Sequence, residues 1–264
     1  MTNGVYHTGG INAAGSNRVA VTRPITVSSV NGPSVTMIRG YQTPGTPNDS
    51  SAIRCVYLTS GATLSGFTLT NGASFNGGAG GVLCQSTSAV ITNCIIIGNP
   101  GGGAANGTLF NCLLTENTLG GAGGSILVGC TIVSNSTSGM GGGVTSMCKL
   151  TNCIVAGNYA NTSGGGCYLS TLVNCTVTGN KAHERGGGTF VCVLVNSIIY
   201  YNDVDLITDN STNHGGTISA INCCTIPLPN GNAINNFSNA PAFSDQAAGG
   251  LSSSVLVHLY KRRQ

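Results

Sequence analysis

One unit is repeated six times between Cys94 and Asn202, and this repeat constrains the fold more than any other feature of the chain. Each copy contains an asparagine-cysteine pair or a close variant of it, a second asparagine six residues after the first position, a variable polar loop and a cluster of glycines. The pairs begin at positions 93, 111, 129, 152, 174 and 196, so successive copies are 18, 18, 23, 22 and 22 residues apart. A period close to twenty residues with fixed columns is typical of a solenoid.

Apolar residues occupy the same two positions in every copy. One lies three residues before the cysteine or serine, at Ile91, Leu109, Leu127, Leu150, Leu172 and Leu194, and one lies two residues after it, at Ile96, Leu114, Ile132, Val155, Val177 and Ile199. The apolar segments are only three to five residues long and show no helical period. The pattern therefore predicts an all-β fold, a single-stranded right-handed parallel β-helix of roughly nine or ten coils.

The second asparagine of each copy predicts a structural column at a bend of the coil. A side-chain amide donates to one coil and accepts from the next, so stacked asparagines satisfy backbone groups that no strand ladder reaches. The column consists of Asn99, Asn117, Asn135, Asn158, Asn180 and Asn202. The glycine clusters are expected at the starts of strands, where the backbone turns sharply and the next coil packs closely.

The chain contains twelve cysteines, and five of them fall on one column that a β-rung points inward. We expect buried thiols that act as small hydrophobic groups. Disulfides between neighbouring coils, or a thiolate metal site, are the alternatives, since equivalent residues of stacked strands lie about 4.8 Å apart.

Only 6% of residues are charged, and the formal net charge is +3. The sequence lacks a basic stripe interleaved with aromatic residues, so it does not predict nucleic-acid binding. The sequence contains no run of eighteen apolar residues, so no membrane span is predicted. Polar residues follow Met1 where a signal peptide needs an apolar stretch, so the chain is expected to be cytoplasmic as expressed. Residues 1–248 are predicted to form the β-helix domain, and residues 249–264 a non-repeat tail that either caps the open end or is a foreign ending.

The Gly-Gly-Gly clusters and the Asn-Cys-x4-Asn rhythm resemble the repeats of pectin-lyase-like parallel β-helix proteins. The resemblance covers about residues 4–246 and is strongest to the polymorphic outer-membrane-protein and autotransporter-passenger type of bacterial surface and secreted proteins. It implies a secreted or cell-surface repeat module for adhesion or carbohydrate binding, with a polysaccharide or another cell-surface ligand as partner. Members carry a secretion signal and further secreted sequence, so the resemblance implies that this chain is a fragment. Pairing of open ends into a homo-oligomer would bring together His7 and His258.

An enzymatic function is not the leading expectation, because the repeats contain few charged side chains that could act in catalysis. Only Glu116 and Lys149 are charged between Asn71 and Asn180, whereas the polysaccharide-cleaving enzymes of this superfamily place several aspartates with lysine or arginine on one face. A polysaccharide lyase or glycosidase is therefore the third hypothesis. Tyr168 and the pair Tyr200-Tyr201 form an aromatic strip that either stacks on sugars or packs on the surface.

The second hypothesis is a metal-dependent hydrolase of ester or phosphoester substrates. Its candidate ligands for zinc are two histidines and one or two carboxylates on stacked loops, namely His183, His214, Asp203 and Asp205. Glu184 would be the general base. The carboxylates Asp203, Asp205 and Asp209 alone would rather suit calcium. The alternative is that these residues are charged because the loop is solvated, and no cofactor is then needed.

Overall fold

The computed structural model describes residues 1–75, 77–206, 212–230 and 232–241. The chain divides between Cys130 and Thr131 into two compact units, which we call the N-terminal and the C-terminal unit and describe over these residues. Within the described part every regular element is a short strand. The predicted boundary between residues 248 and 249 lies outside the described residues, as do Asp209, His258 and the basic end of the chain.

In the N-terminal unit the strands form three sheets, which we number by their order within a coil. Sheet 1 contains Ile11–Asn12, Ser16–Val21, Arg54–Leu58, Val82–Cys84, Ala104–Ala105 and Ala122–Gly123. Sheet 2 contains Thr26–Ser28, Thr63–Ser65, Val90–Thr92, Thr108–Phe110 and Ile126–Val128. Sheet 3 contains Gly4–Tyr6, Thr36–Arg39, Thr68–Thr70, Ile95–Ile97 and Leu113–Thr115. Neighbouring strands pair in parallel, except that Ile11–Asn12 is antiparallel to Ser16–Val21.

The C-terminal unit repeats this arrangement and adds a fourth sheet. Its sheet 1 contains Val144–Thr145, Cys167–Tyr168, Thr189–Phe190 and His214–Gly215. Its sheet 2 contains Lys149–Thr151, Thr171–Val173, Val193–Val195, Ser219–Ile221 and Ala233–Ile234. Its sheet 3 contains Thr131–Val133, Ile154–Ala156, Thr176–Thr178, Ile198–Tyr200 and Cys224–Thr225. Sheet 4 contains Ser136–Thr137, Tyr159–Ala160, Lys181–Ala182 and Asp203–Val204.

Each unit is thus a parallel β-helix of about five coils, because its second and third sheets contain five strands each. The predicted fold class, an all-β parallel β-helix with roughly nine or ten coils in the whole chain, is confirmed. The two predicted apolar columns are buried in both units; Leu109 and Leu114 are fully buried in the first, as are Leu172 and Val177 in the second. All twelve cysteines are free and buried, which confirms that they are core thiols.

The asparagine column is a buried hydrogen-bonded ladder in each unit. In the N-terminal unit the Nδ2 of Asn99 donates to the Oδ1 of Asn117 at 2.9 Å. In the C-terminal unit the same bond runs from Asn158 to Asn180 at 2.9 Å and from Asn180 to Asn202 at 3.0 Å. The predicted structural role of these asparagines is confirmed.

The first asparagine of each repeat has a different reason for its position. Asn111 has a φ of 51° and Asn174 a φ of 54°, in the left-handed region that asparagine tolerates better than most residues. The one repeat without this asparagine has Gly129, with a φ of 64°. Glycine is the other residue that adopts this conformation readily, so the substitution preserves the corner.

Sheet 4 accounts for the longer repeats of the C-terminal unit. From Asn117 to the next sheet 1 strand, at Ala122, the chain needs five residues, whereas from Asn135 to Val144 it needs nine. The additional residues form the sheet 4 strand. The middle glycine of the following cluster lets this strand approach, since a Cβ on Gly165 would overlap the carbonyl oxygen of Lys181.

Candidate functional site

Sheet 4 carries a polar cluster on its outer face. Successive side chains of a strand point to opposite faces, so the inward residues Ala182 and Val204 are buried in the coil, while Lys181 and Asp203 face outward. Strand pairing aligns Tyr159 with Lys181, and Lys181 with Asp203. The register therefore stacks an aromatic hydroxyl, an ammonium and a carboxylate in one column.

Asp205 is the centre of this cluster. Its carboxylate lies 2.5 Å from the Nζ of Lys181 and 3.6 Å from the Nδ1 of His183, and it accepts a 3.4 Å hydrogen bond from the hydroxyl of Tyr159. The Lys181 ammonium also lies 4.0 Å from Asp203. The hydrogen bond from Lys181 lowers the pKa of Asp205, and the same bond raises the pKa of Lys181. Both groups are consequently charged near neutral pH.

His214 lies in a different environment from these residues. It begins a sheet 1 strand and is buried, with 7% of its surface exposed. Its Nε2 lies 2.7 Å from the carbonyl oxygen of Pro227, and its Nδ1 lies 2.9 Å from the hydroxyl of Thr217. Burial lowers the pKa of His214, which favours the neutral ring that donates from Nε2 to Pro227 and accepts from Thr217. Both ring nitrogens are therefore engaged within the protein.

The predicted metal ligands are only partly brought together. His183 and Asp205 are in contact, Asp203 is linked to them through Lys181, and His214 is held by Pro227 and Thr217. Within the residues that the structure describes, no three histidine, cysteine, aspartate or glutamate side chains group as a metal site requires. Glu184, the predicted general base, has an exposed side chain, and its backbone N–H donates to Thr162 at 2.8 Å. Asp209, a member of the calcium hypothesis, lies outside the described residues.

An open cleft of about 580 Å³ lies beside His214 in the C-terminal unit. It is lined by Arg185, Phe190, His214, Gly215, Gly216, Thr217, Pro227, Leu228, Pro229 and Asn230. The hydrogen bond from His214 to the Pro227 carbonyl links two of the lining segments, the strand His214–Gly215 and the residues from Pro227 to Asn230. The cleft combines apolar and hydrogen-bonding groups, which is the usual character of a ligand site.

The aromatic surface of the cleft comes from one stacked pair. Phe190 follows Tyr168 in the sheet 1 register, and their rings stack with centroids 6.1 Å apart at an interplanar angle of 15°. Tyr168 was singled out from the sequence, whereas Phe190 and Arg185 were missed. The signal for Phe190 was present, since it follows a glycine cluster at the same spacing as Tyr168 one repeat earlier.

The other predicted aromatic residues pack with each other. The rings of Tyr200 and Tyr201 meet edge to face, with centroids 4.9 Å apart. Their hydroxyls donate to the carbonyl oxygens of Ser238 and Pro241, respectively. These two tyrosines therefore hold the last described segment of the chain, and they do not extend the Tyr168–Phe190 stack.

The fold defines this chain as a parallel β-helix protein, and its C-terminal unit has a surface cleft lined in part by Phe190. No model of a known protein family matches the sequence, and no curated protein matches it either. Within the described residues there is no helix of the length and apolar character that a membrane crossing needs.

Proposed function

We propose that this protein is a secreted or cell-surface β-helix repeat module of the pectin-lyase-like type, and that it binds carbohydrate through the cleft of the C-terminal unit. The observation that carries the proposal is the ring of Phe190, which lines an open cleft and is supported from behind by Tyr168. A rigid aromatic surface offers a large apolar contact at low cost in side-chain entropy. Sugar rings have apolar faces that such a surface accommodates.

The polar groups of the cleft suit the hydroxyl groups of a sugar. Arg185 brings a guanidinium group to the lining of the cleft, while Thr217 and Asn230 provide side-chain oxygen and amide groups. The cleft is open, so it accepts a part of a long chain as well as a free end. Adhesion to a glycan-bearing surface follows from binding of this kind and needs no catalytic group.

We do not extend the proposal to hydrolysis. A zinc hydrolase needs three protein ligands with free donor atoms and an open coordination position. In the described structure both nitrogens of His214 are bonded to Thr217 and Pro227. The carboxylate of Asp205 is paired with Lys181. The arrangement favours binding over metal-assisted chemistry.

The proposal is tested by titrating the purified chain with a panel of oligosaccharides, with heat or an NMR spectrum as the readout. We expect saturable binding of at least one glycan and a loss of about tenfold in affinity in Phe190→Ala, which corresponds to ~1.4 kcal/mol. Phe110→Ala is the matched control, because Phe110 is a partly exposed phenylalanine in the N-terminal unit. Equal losses in both variants, or no binding to any glycan, would refute the proposal.

A further inference from the structure

The N-terminal unit contains a buried arginine that has no acidic partner among the described residues. Arg54 lies on a sheet 1 strand, and only 1% of its surface is exposed. A buried arginine is rare unless it is paired with an acidic group, because removing its charge from water costs several kcal/mol. The environment of this side chain therefore needs an explanation.

Neutral oxygen atoms satisfy the hydrogen-bonding groups of Arg54. Its Nε donates to the carbonyl of Ala79 at 2.6 Å, and its Nη1 donates to Asn17 Oδ1 at 2.8 Å and to Ala14 at 3.3 Å. Its Nη2 donates to the hydroxyl of Ser74 at 2.9 Å and to the carbonyl of Gly77 at 3.3 Å. The donors are thus paired, but the positive charge is not neutralised by any of these groups.

No carboxylate compensates this charge in the described part of the unit. The ion pairs seen among the described residues involve Lys181, His183, Asp203 and Asp205, on or next to sheet 4 of the C-terminal unit. The neighbouring thiol of Cys55 is neutral, since burial raises its pKa to about 12. Asp49 is turned to its own loop, where it accepts hydrogen bonds from the Ser51 N–H and the Thr46 hydroxyl.

A small polar cavity of about 170 Å³ lies beside two residues that adjoin Arg54, although Arg54 itself is not part of its lining. Its wall includes Ser74, which accepts a hydrogen bond from Arg54, and Gly15, where an added Cβ would lie 3.7 Å from the Nη1 atom. Asn12, Ser16 and Ser50 also line it; these residues are exposed, and their side chains have no hydrogen-bond partner among the described residues. A water molecule occupies about 30 Å³ in the liquid, so the cavity has room for an ion with four oxygen atoms.

We propose that this cavity binds a small oxyanion, such as phosphate, sulfate or a carboxylate. The hydroxyls of Ser16 and Ser50 and the amide of Asn12 donate to the anion, and Arg54 supplies the compensating charge from behind Ser74. Ser74 itself is not a donor to the ion, because its hydroxyl already donates to Gly77. The site shares no residue with the carbohydrate cleft, since all its residues belong to the N-terminal unit.

The test is the melting temperature of the whole chain in rising concentrations of inorganic phosphate, with sodium chloride at equal ionic strength as reference. We expect a saturable rise of about 2–4 °C in phosphate, and a similar rise in sulfate or formate, because a ligand that binds only the folded state stabilises it. Ser16→Asp places a carboxylate at the cavity wall. This variant is expected to melt higher than the wild type in plain buffer and to lose the response to phosphate.

Ser60→Asp is the control, because it adds the same charge at an exposed position of the same unit; it is expected to keep the phosphate response. Phosphate also stabilises proteins in general through exclusion from their surface. An equal rise in the wild type and in Ser16→Asp would therefore overturn the proposal, as would the absence of a saturable rise with all three anions.

Discussion

Replacing Asn180 by alanine tests the asparagine ladder directly. The Oδ1 of Asn180 accepts two hydrogen bonds from Asn158, one from the backbone N–H and one from the side-chain Nδ2, both at 2.9 Å. The Nδ2 of Asn180 donates to the carbonyl oxygen of Val155 and to the Oδ1 of Asn202. Alanine leaves the buried Asn158 N–H without its acceptor, which costs about 1–3 kcal/mol, and removes further buried bonds worth about 0.5–1.5 kcal/mol each. The expected loss in the free energy of unfolding is roughly 2–5 kcal/mol.

This loss corresponds to a fall of roughly 4–20 °C in melting temperature at about 2–4 °C per kcal/mol. Far-UV circular dichroism measures the melting temperature, and hydrogen exchange at the Asn158 amide reports the broken bond itself. Asn161→Ala is the matched control, since Asn161 is exposed and its side chain makes no hydrogen bond within the described residues. A variant at Asn180 that melts and exchanges like Asn161→Ala would refute the ladder argument.

Three further predictions concern the core thiols and the buried histidine. Cys112→Asp is expected to unfold several coils, because it buries an unpaired charge at a cost of several kcal/mol, while Cys112→Ala folds; soluble, fully folded Cys112→Asp would mean that the column faces outward. Ellman's reagent is expected to label none of the twelve cysteines in the folded protein and all twelve in guanidinium chloride, and rapid labelling of the folded protein would contradict their burial. Because burial lowers the pKa of His214 below its ordinary value of 6.5, the unfolded chain binds the proton more readily; its contribution to stability is complete above about pH 6.5 and is lost as the pH falls. The melting temperature of the wild type should therefore fall more between pH 8 and pH 5.5 than that of His214→Gln, and an equal fall would refute the assignment.

The repeat predicted the coil because its signals are local and strict. Each Asn-Cys pair determines both a left-handed corner and an inward thiol, so the register of sheets 2 and 3 follows from the sequence alone. Asn213 escaped notice because it follows Asn202 after only eleven residues, half the usual step, although it accepts the Asn202 N–H at 2.9 Å and continues the ladder.

The candidate sites depend on contacts between residues that lie outside the repeated positions of the sequence. The register of sheet 4 brings Asp205 to Lys181, yet the sequence offers only a charged loop at this place. His214 was predicted to lie in that loop, but the later segment around Pro227 folds over it and buries it. Arg54 belongs to the first coils, which lack the regular repeat, so no sequence pattern predicts that its side chain is buried in the core.

The additional residues that form the sheet 4 strands change the length of a coil without changing its core. Within the six repeats a coil contains 18, 22 or 23 residues, and the buried columns are the same in each case. The corner after the ladder asparagine therefore tolerates insertions and substitutions that leave the core of the coil unchanged. A protein built in this way acquires new surface chemistry by editing a few residues at one corner, while the amide ladder beside it keeps every later coil in register.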